Sequence, residues 1–581
     1  MTKSRENYEK WLAYEGLDAE LKQQLIDIKD DENEINERFY QELSFGTAGL
    51  RGIIGAGTNR MNIYIVKRAT QGLATLICAE GEDAKKRGVA IAFDSRLYSD
   101  RFAFEAAKVL VANGIKVYLF DALRPTPELS FTIRHLNCIS GIIITASHNP
   151  AKYNGYKVYW EDGAQMPPHF ADKVLENINK TDLFYGVKSV SDEEANNSDL
   201  LTIIGEEVDK AYLDNVFAQS INRDLVAKIA DDFKIVYTPF HGAGNKLVRK
   251  ILDMIGVKNV YVVKEQEMPD PAFPTVVSPN PENPEGFSYA IVLANEVGSS
   301  IIIGTDPDSD RVGAMVRNPE GEFIPISGNQ MGVLLVNYVL SQRHKKGLLP
   351  ENPVVVKTVV TTELTDRICE KYGVKITNVL TGFKFIGEVI KGLEEKGEEK
   401  RFVFGYEESY GYLSGSYARD KDAVVASMLV AEMAAYYKDR GMTLYDGLEE
   451  IYKEFGYYKE LQHSVTLEGM EGTAKIAAMV AALKANPIKE VDGEQVVKFC
   501  DYSRSVSIDL VTGKEEKIDL PKSDVLAFYL PDNKKVIIRP SGTEPKIKFY
   551  FFVKGKDKAD SEAQMKKFSK AVFNITDSLL K

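Results

Sequence analysis

Apolar residues along this chain fall in short runs, and each run closes in a turn of small or charged residues. Residues 89–93, 116–120 and 139–145 are such runs, with an amphipathic stretch at 101–113 between the first two. Several are apolar throughout, without the alternation of a half-exposed strand. That is the signature of parallel strands covered on both faces. The pattern returns at 233–238, 259–263 and 300–303 with a helix at 245–255, and again at 354–358, 375–378 and 402–404 with helices at 364–371 and 385–393. Three α/β units in series are predicted, each with a turn after a strand. Open α/β sheets place ligands at the carboxyl ends of their strands, so those turns can converge.

The ends of the chain read differently. Residues 8–41 are charged and amphipathic and predict helix, broken by Phe45–Gly52 with its three glycines. After helices at 426–439 and 444–455 come a segment at 458–467, a helix at 472–486, a strand pair at 535–539 and 546–552, and a closing amphipathic helix at 559–579. Strands followed by a terminal helix predict a smaller α+β domain. The Pro-, Gly- and acid-rich stretches 272–287 and 317–328 read as crossing loops or a boundary, and no short-period repeat points to a solenoid. The expected architecture is three consecutive α/β domains with mixed or parallel sheets and a C-terminal α+β domain around a central cleft. The expected boundaries are 1–205, 206–322, 323–450 and 451–581.

Composition narrows the class. The 581 residues exceed one core, and at about 150 residues per domain they support roughly four. A net charge of −12 argues against a general polyanion binder, so nucleic acid is not an expected partner, while a local basic cleft for a small anion is compatible with it. The N-terminus is polar, and no apolar stretch approaches the ~20 residues that span a bilayer. The candidate at 331–340 is short, carries Asn337 and reads as a packed helix. Cys78, Cys138, Cys369 and Cys500 lie far apart with no CxxC pair, which favours thiols in a reducing compartment over a zinc site. A cytoplasmic protein without a membrane partner, a monomer or weak homo-oligomer, is expected.

Four turns carry candidate chemistry. The run at 141–144 ends in Thr145-Ala-Ser-His-Asn-Pro150, which presents the hydroxyl of Ser147. His148 adjoins it, but neighbours on an extended chain point apart, so a Ser–His dyad is not implied. The run at 300–304 ends in Thr305-Asp-Pro-Asp-Ser-Asp-Arg311, where Asp306, Asp308 and Asp310 can turn three oxygens onto one hard cation and Arg311 can clamp a phosphate. An EF-hand needs glycine at its sixth position and glutamate at its twelfth; Arg311 and Arg317 stand there, so that reading fails. Arg539-Pro-Ser-Gly-Thr-Glu-Pro545, with Ser541, Gly542 and Thr543, combines an arginine, hydroxyls and glycine amides suited to a dianion, without the glycine spacing of a P-loop. Gly405-Tyr-Glu-Glu-Ser-Tyr-Gly411 offers Glu407 and Ser409 to vicinal sugar hydroxyls. Arg51, Lys157, Lys384, Arg419 and Lys421 are unremarkable one at a time.

In this order and spread over nearly the whole chain, the four loops resemble those of the α-D-phosphohexomutases, most closely the phosphoglucomutase branch. The resemblance implies that Ser147 carries a transferable phosphoryl group and that Mg²⁺ is held by that phosphate with Asp306, Asp308 and Asp310. It implies that Arg311 and Arg51 face the phosphoserine with His148 beside it, and that Lys157 and Lys384 are candidates for proton transfer. Glu407 and Ser409 would hold the sugar, with Arg419 and Lys421 also on the substrate, while Arg539, Ser541, Gly542 and Thr543 would grip the phosphate that is not reacting. The implied reaction passes through glucose 1,6-bisphosphate, which is also the primer. Pro307 and Ser309 stand where many members have glycine or alanine, and Lys548 where many have arginine. Tyr406 and Tyr410 resemble a subgroup that includes phosphopentomutases, so pentose or mannose phosphates are alternative substrates. A non-catalytic sugar-phosphate-binding protein is the alternative of a different class.

Overall fold

The computed structural model describes residues 2–46, 49–467, 469–541 and 546–580. It forms two compact units: Met1–Ser327, Ile386–Gly405 and Ser409–Thr443 make the first, and Gly328–Phe385, Tyr406–Glu408 and Leu444–Lys581 the second.

The first unit opens with helices Lys3–Leu12, Ala19–Asp27 and Glu32–Phe39, so the helical character expected over 8–41 is divided among separate helices. Two caps explain the breaks. The carboxylate of Asp18 accepts from the amides of Glu20 and Leu21, and that of Asp31 from Asn33 and Glu34. Each satisfies amides that a continuous helix would have paired internally. Tyr8, Trp11, Leu25, Ile35 and Phe39 close the small core between the three.

A six-stranded sheet follows, built from β1 (Leu50–Ile53), β2 (Val89–Phe93), β3 (Val117–Phe120), β4 (Ser140–Ile144), β5 (Tyr153–Trp160) and β6 (Leu201–Ile204) in the order β1-β5-β4-β2-β3-β6. β2, β3, β4 and β6 run parallel, and β5 and β1 return antiparallel on one edge. The strand run expected at 139–145 is β4, buried at all five positions. Helices Ile63–Glu80 and Ser99–Ala112 contribute Val66, Leu73, Ile77, Phe102 and Leu110 to a core shared with Ile142 and Ile144, each side chain adding about 1.5–3 kcal/mol of burial energy. The second sheet has the order β11-β10-β9-β7-β8, from β7 (Lys234–Thr238), β8 (Asn259–Val262), β9 (Ile301–Thr305), β10 (Val312–Arg317) and β11 (Phe323–Ile326). The 317–328 stretch, read as a crossing loop or a boundary, holds the turn of the antiparallel β10–β11 hairpin and ends where the first unit gives way to the second at Ser327 and Gly328.

The third α/β set is divided between the units. β12 (Val354–Thr358) and β13 (Lys375–Val379) pair in parallel in the second unit. β14 (Phe402–Glu407) begins in the first unit and ends in the second, and β15 (Gly411–Ser414) belongs to the first. Helix Gly328–Lys345 contains the 331–340 run, largely buried, as expected of a packed helix.

The C-terminal part is richer in strands than expected. β16 (Tyr457–Thr466), the hairpin β17 (Glu490–Val491) and β18 (Glu494–Gln495), then β19 (Lys498–Asp501), β20 (Val506–Asp509), β21 (Glu515–Lys517), β22 (Leu526–Tyr529), β23 (Lys535–Pro540) and β24 (Lys546–Gly555) include a seven-stranded antiparallel sheet, β16-β24-β23-β22-β19-β20-β21. Helices Gly469–Ala485 and Lys558–Leu580 accompany it. Tyr502, Val525, Ile537, Tyr550 and Phe552 of this part pack on Val359, Val360 and Leu380 beyond β12 and β13, and Lys535 Nζ lies 2.7 Å from Glu363. All four cysteines are free thiols. Among the described residues no helix is long and apolar enough to cross a membrane.

Candidate active site

β4 and β5 are antiparallel neighbours, and the chain between them turns at Ser147. Ser147 has φ +53°, a left-handed conformation that costs a non-glycine residue about 1–3 kcal/mol and persists only where its surroundings impose it. The imposing groups are polar. The Ser147 amide donates to Thr145 Oγ1 at 2.8 Å. The Arg96 guanidinium donates to the carbonyls of Ser147 and Asn149 at 2.5 Å and to those of Pro150 and Tyr153 at 3.1 and 3.0 Å. Asp94, buried at the end of β2, accepts from Thr145 Oγ1 at 2.6 Å and stands 3.3 Å from Arg96 Nε. One arginine therefore holds four carbonyls of the turn, and one carboxylate holds that arginine. Neither was singled out from sequence; the available signal was an Asp-Ser-Arg turn at the end of an apolar strand.

The acidic turn lies between β9 and β10. Ser309 is also left-handed at φ +50°, and Asp306 Oδ1 accepts from the amides of Asp310 and Arg311 at 3.1 and 3.0 Å, which curls the loop around itself. Ala243 donates its amide to Pro307 O at 2.8 Å, and a Cβ on Gly242 would lie 2.5 Å from Pro307 Cα, so only glycine admits this close backing. Carboxylate oxygens of Asp306, Asp308 and Asp310 lie within 4.8 Å of one another, and all three residues are buried.

The two turns meet. Ser147 Oγ donates to Asp306 Oδ2 at 3.0 Å. Asp308 Oδ2 accepts from Lys157 Nζ at 2.9 Å and from Thr126 Oγ1 at 2.8 Å, and Lys421 Nζ lies 3.1 Å from Asp310 Oδ2. The β4–β5 register, pairing Ile143 with Lys157, brings that lysine to the trio. Burial together with Asp308 and Asp310 pushes the Asp306 carboxyl well above the usual range. Burial and Asp308 raise Asp310 as well. Burial works against Asp308 too, yet Lys157 and Thr126 hold it well below its ordinary value. Three buried carboxylates this close are short of positive charge. Asp308 Oδ1 and Asp310 Oδ1 are buried acceptors without a hydrogen-bond partner among the described residues. Orphaned oxygens in an all-carboxylate trio fit a hard divalent cation.

Around this centre, Arg51 Nη1 lies 3.3 Å from Asn149 Oδ1 and Arg311 Nη1 donates to Glu282 at 2.6 Å. His148 Nδ1 is 3.2 Å from Ser147 Oγ. Burial, with the charges of Arg311 and Arg51, pushes the imidazole well below its ordinary pKa, so it is neutral near pH 7. Lys421 also pairs with Asp420 at 2.9 Å, and Asp420 accepts from Tyr159 OH at 2.6 Å.

The remaining candidates each have surroundings of their own. Arg419 is 1% exposed, and its guanidinium engages Glu394 and the carbonyls of Ser416 and Ala418. Ser409 is half-buried in the turn between β14 and β15. In the second unit, Glu407 is buried and accepts from the Gly382 amide at 2.7 Å, while Lys384 Nζ sits 4.9 Å from the ring centre of Phe385. Arg539 lies on β23 opposite Lys548 of β24, and Ser541 donates its amide to Lys546 O at 2.7 Å. Gly542 and Thr543 lie outside the described residues.

Known proteins resemble this chain over most of its length. Family models for the phosphoglucomutase/phosphomannomutase α/β/α domains I, II and III match residues 42–184, 210–321 and 327–455. The phosphoglucomutase of Staphylococcus saprophyticus is 36% identical over 521 residues, covering 90% of this chain and 92% of that one. That of Staphylococcus epidermidis is 37% identical over 555 residues, covering 94% and 97%. Among solved structures, a putative phosphomannomutase from Thermus thermophilus shares the fold with TM-score 0.66, 22% identity and coverage of 92% and 99%. The Paramecium phosphoglucomutase parafusin does so with TM-score 0.68, 19% identity and coverage of 92% and 96%.

Proposed function

Because the chain belongs to the phosphoglucomutase/phosphomannomutase family, we propose that it is a sugar-phosphate mutase interconverting glucose 1-phosphate and glucose 6-phosphate. The observation that carries this reading is Ser147 Oγ at 3.0 Å from Asp306, beside a buried trio of carboxylates in which two oxygens accept no hydrogen bond among the described residues.

Ser147 carries the phosphoryl group. In the forward half-reaction the bond from phosphorus to Ser147 Oγ breaks as a bond forms to the free hydroxyl of the sugar phosphate, giving glucose 1,6-bisphosphate. The hydroxyl proton leaves for a basic group of the site, and Ser147 Oγ regains one. Lys157 is our candidate for the group beside Oγ, since its ammonium is already anchored on Asp308; Lys384 is the other proton-transfer candidate. The bisphosphate then returns its other phosphoryl group to Ser147. Asp306, Asp308 and Asp310 would hold Mg²⁺, which when bound neutralises charge on the transferring group. Arg51 and Arg311 are assigned to the phosphoserine. The neutral imidazole of His148 leaves this cationic surround undisturbed. The Arg96 lattice fixes Oγ in direction, so that positioning supplies much of the catalysis. Glu407 and Ser409 are assigned to sugar hydroxyls, and Arg539, Ser541, Gly542 and Thr543 to the spectator phosphate. Lys421 is reassigned from substrate contact to holding Asp310, in keeping with their 3.1 Å separation.

Turnover of glucose, mannose and ribose 1-phosphates with bisphosphate primer and Mg²⁺ tests the reading. Highest kcat/KM on the glucose ester is expected. A preference for ribose or mannose phosphate would move the substrate within the same mechanism, and binding without turnover on any of them would refute catalysis.

A further inference from the structure

The stretch 272–287, a crossing loop or boundary by composition, contains a five-residue segment, Ser278–Glu282, whose two end residues touch the two halves of the catalytic centre. Ser278 Oγ donates at 2.5 Å to the carbonyl of His148, the residue after the nucleophile. Four residues on, Glu282 accepts from Arg311 Nη1 at 2.6 Å. The loop between them is stiff. The Glu282 amide donates to Asn280 Oδ1 at 3.1 Å, that of Asn283 to Asn280 O at 2.9 Å, and Pro279 and Pro281 fix two φ angles. It is also pressed onto β10, because a Cβ on Gly313 would lie 2.6 Å from Pro281 O. Both partners of the ion pair are largely shielded, at 17% and 29% side-chain exposure.

We propose that Glu282 is a positioning residue that fixes the plane and direction of the Arg311 guanidinium for its task at the phosphoryl group on Ser147. The inference rests on the mutase reading above. A guanidinium is a rigid planar fork, so fixing one nitrogen fixes the direction of the others. A long side chain oriented before substrate arrives has its rotamer entropy already lost, and a misplacement of about 1 Å can cost 10²-fold in rate. Ser278 sets the same loop against the Ser147 turn, so the clamp and the nucleophile share one reference point.

The test is a double-mutant cycle on the full chain. Glu282→Gln is expected to lower kcat about 10- to 100-fold with KM changed less than about threefold, and Glu282→Asp to recover part of the loss. In an Arg311→Lys background the Glu282→Gln change should add less than about twofold, because its effect runs through the guanidinium. Should Glu282→Gln fail to fold, the Glu282→Asp cycle is read the same way. Wild-type kcat in Glu282→Gln, or losses that multiply with Arg311→Lys, would overturn the proposal while Ser147→Ala stays inactive. Wild-type protein with neither turnover nor phosphoserine would overturn the mutase reading, and this inference with it.

Discussion

At the scale of single residues, the centre is a charge problem solved only in part by the protein. Lys157 and Lys421 bring positive charge to Asp308 and Asp310, and two oxygens accept no hydrogen bond among the described residues. Magnesium at ~100 times its dissociation constant should stabilise the protein by about 2.7 kcal/mol, seen as a rise of a few degrees in Tm. In an Asp308→Asn/Asp310→Asn double variant that rise should vanish; an equal rise in both proteins would place the cation elsewhere. Removing Lys157 leaves Asp308 buried without its cation, and breaking such a pair costs about 3–5 kcal/mol. Lys157→Met should therefore lower stability as well as activity, measured by urea unfolding beside turnover. Ser147 and the three aspartates were legible in sequence because hydroxyl and acidic residues there interrupt apolar runs. Arg96, Asp94, Thr126 and Glu282 were not, because arginine, aspartate, threonine and glutamate in loops are common and only the folded chain shows what they hold.

At the scale of elements, the decisive object is the β4–β5 turn. Its left-handed serine is kept in place by four carbonyl contacts from Arg96, and lysine cannot reproduce that planar fork. Arg96→Lys should cut kcat about 10²-fold while the Tm falls by only a few degrees, since the sheet beneath keeps its hydrophobic core. A Tm collapse with kcat per folded molecule unchanged would show the lattice to be structural only. The apolar runs identified β2, β4, β7 and β9 from composition alone. β5 escaped because Tyr-Asn-Gly-Tyr-Lys mixes polar and aromatic residues, and its identity as a strand comes from the antiparallel partner it finds in β4. The helix expected over 8–41 is present but divided at Asp18 and Asp31, whose side chains cap the second and third helices. β19–β21 are short and polar, with burial alternating only weakly, and acquire order from their neighbours in the sheet.

At the scale of the whole molecule, each compact unit has electrostatics of its own. In the second unit Lys535 is buried against Glu363. Burial works to raise the Glu363 carboxyl, yet Lys535 and Lys357 hold it down to about 2 from 4.5. The same burial lowers Lys535, so the attraction is offset by the cost of desolvating the ammonium. A carboxylate with a depressed pKa lends stability that is fully present above 4.5 and is lost as pH falls from 4.5 toward 2. The stability difference between wild type and Glu363→Gln should shrink over that window, followed by urea unfolding; a constant difference would remove Glu363 from the account. Across the whole chain, the central claim is that Ser147 is the carrier of the phosphoryl group. Intact mass and peptide mapping, after incubation with glucose 1,6-bisphosphate and again after a chase with glucose 1-phosphate, test it most directly. The account predicts one phosphoryl group, on Ser147, that leaves with the chase, and none on Ser147→Ala. A group on another residue, or turnover that survives in Ser147→Ala, would contradict it.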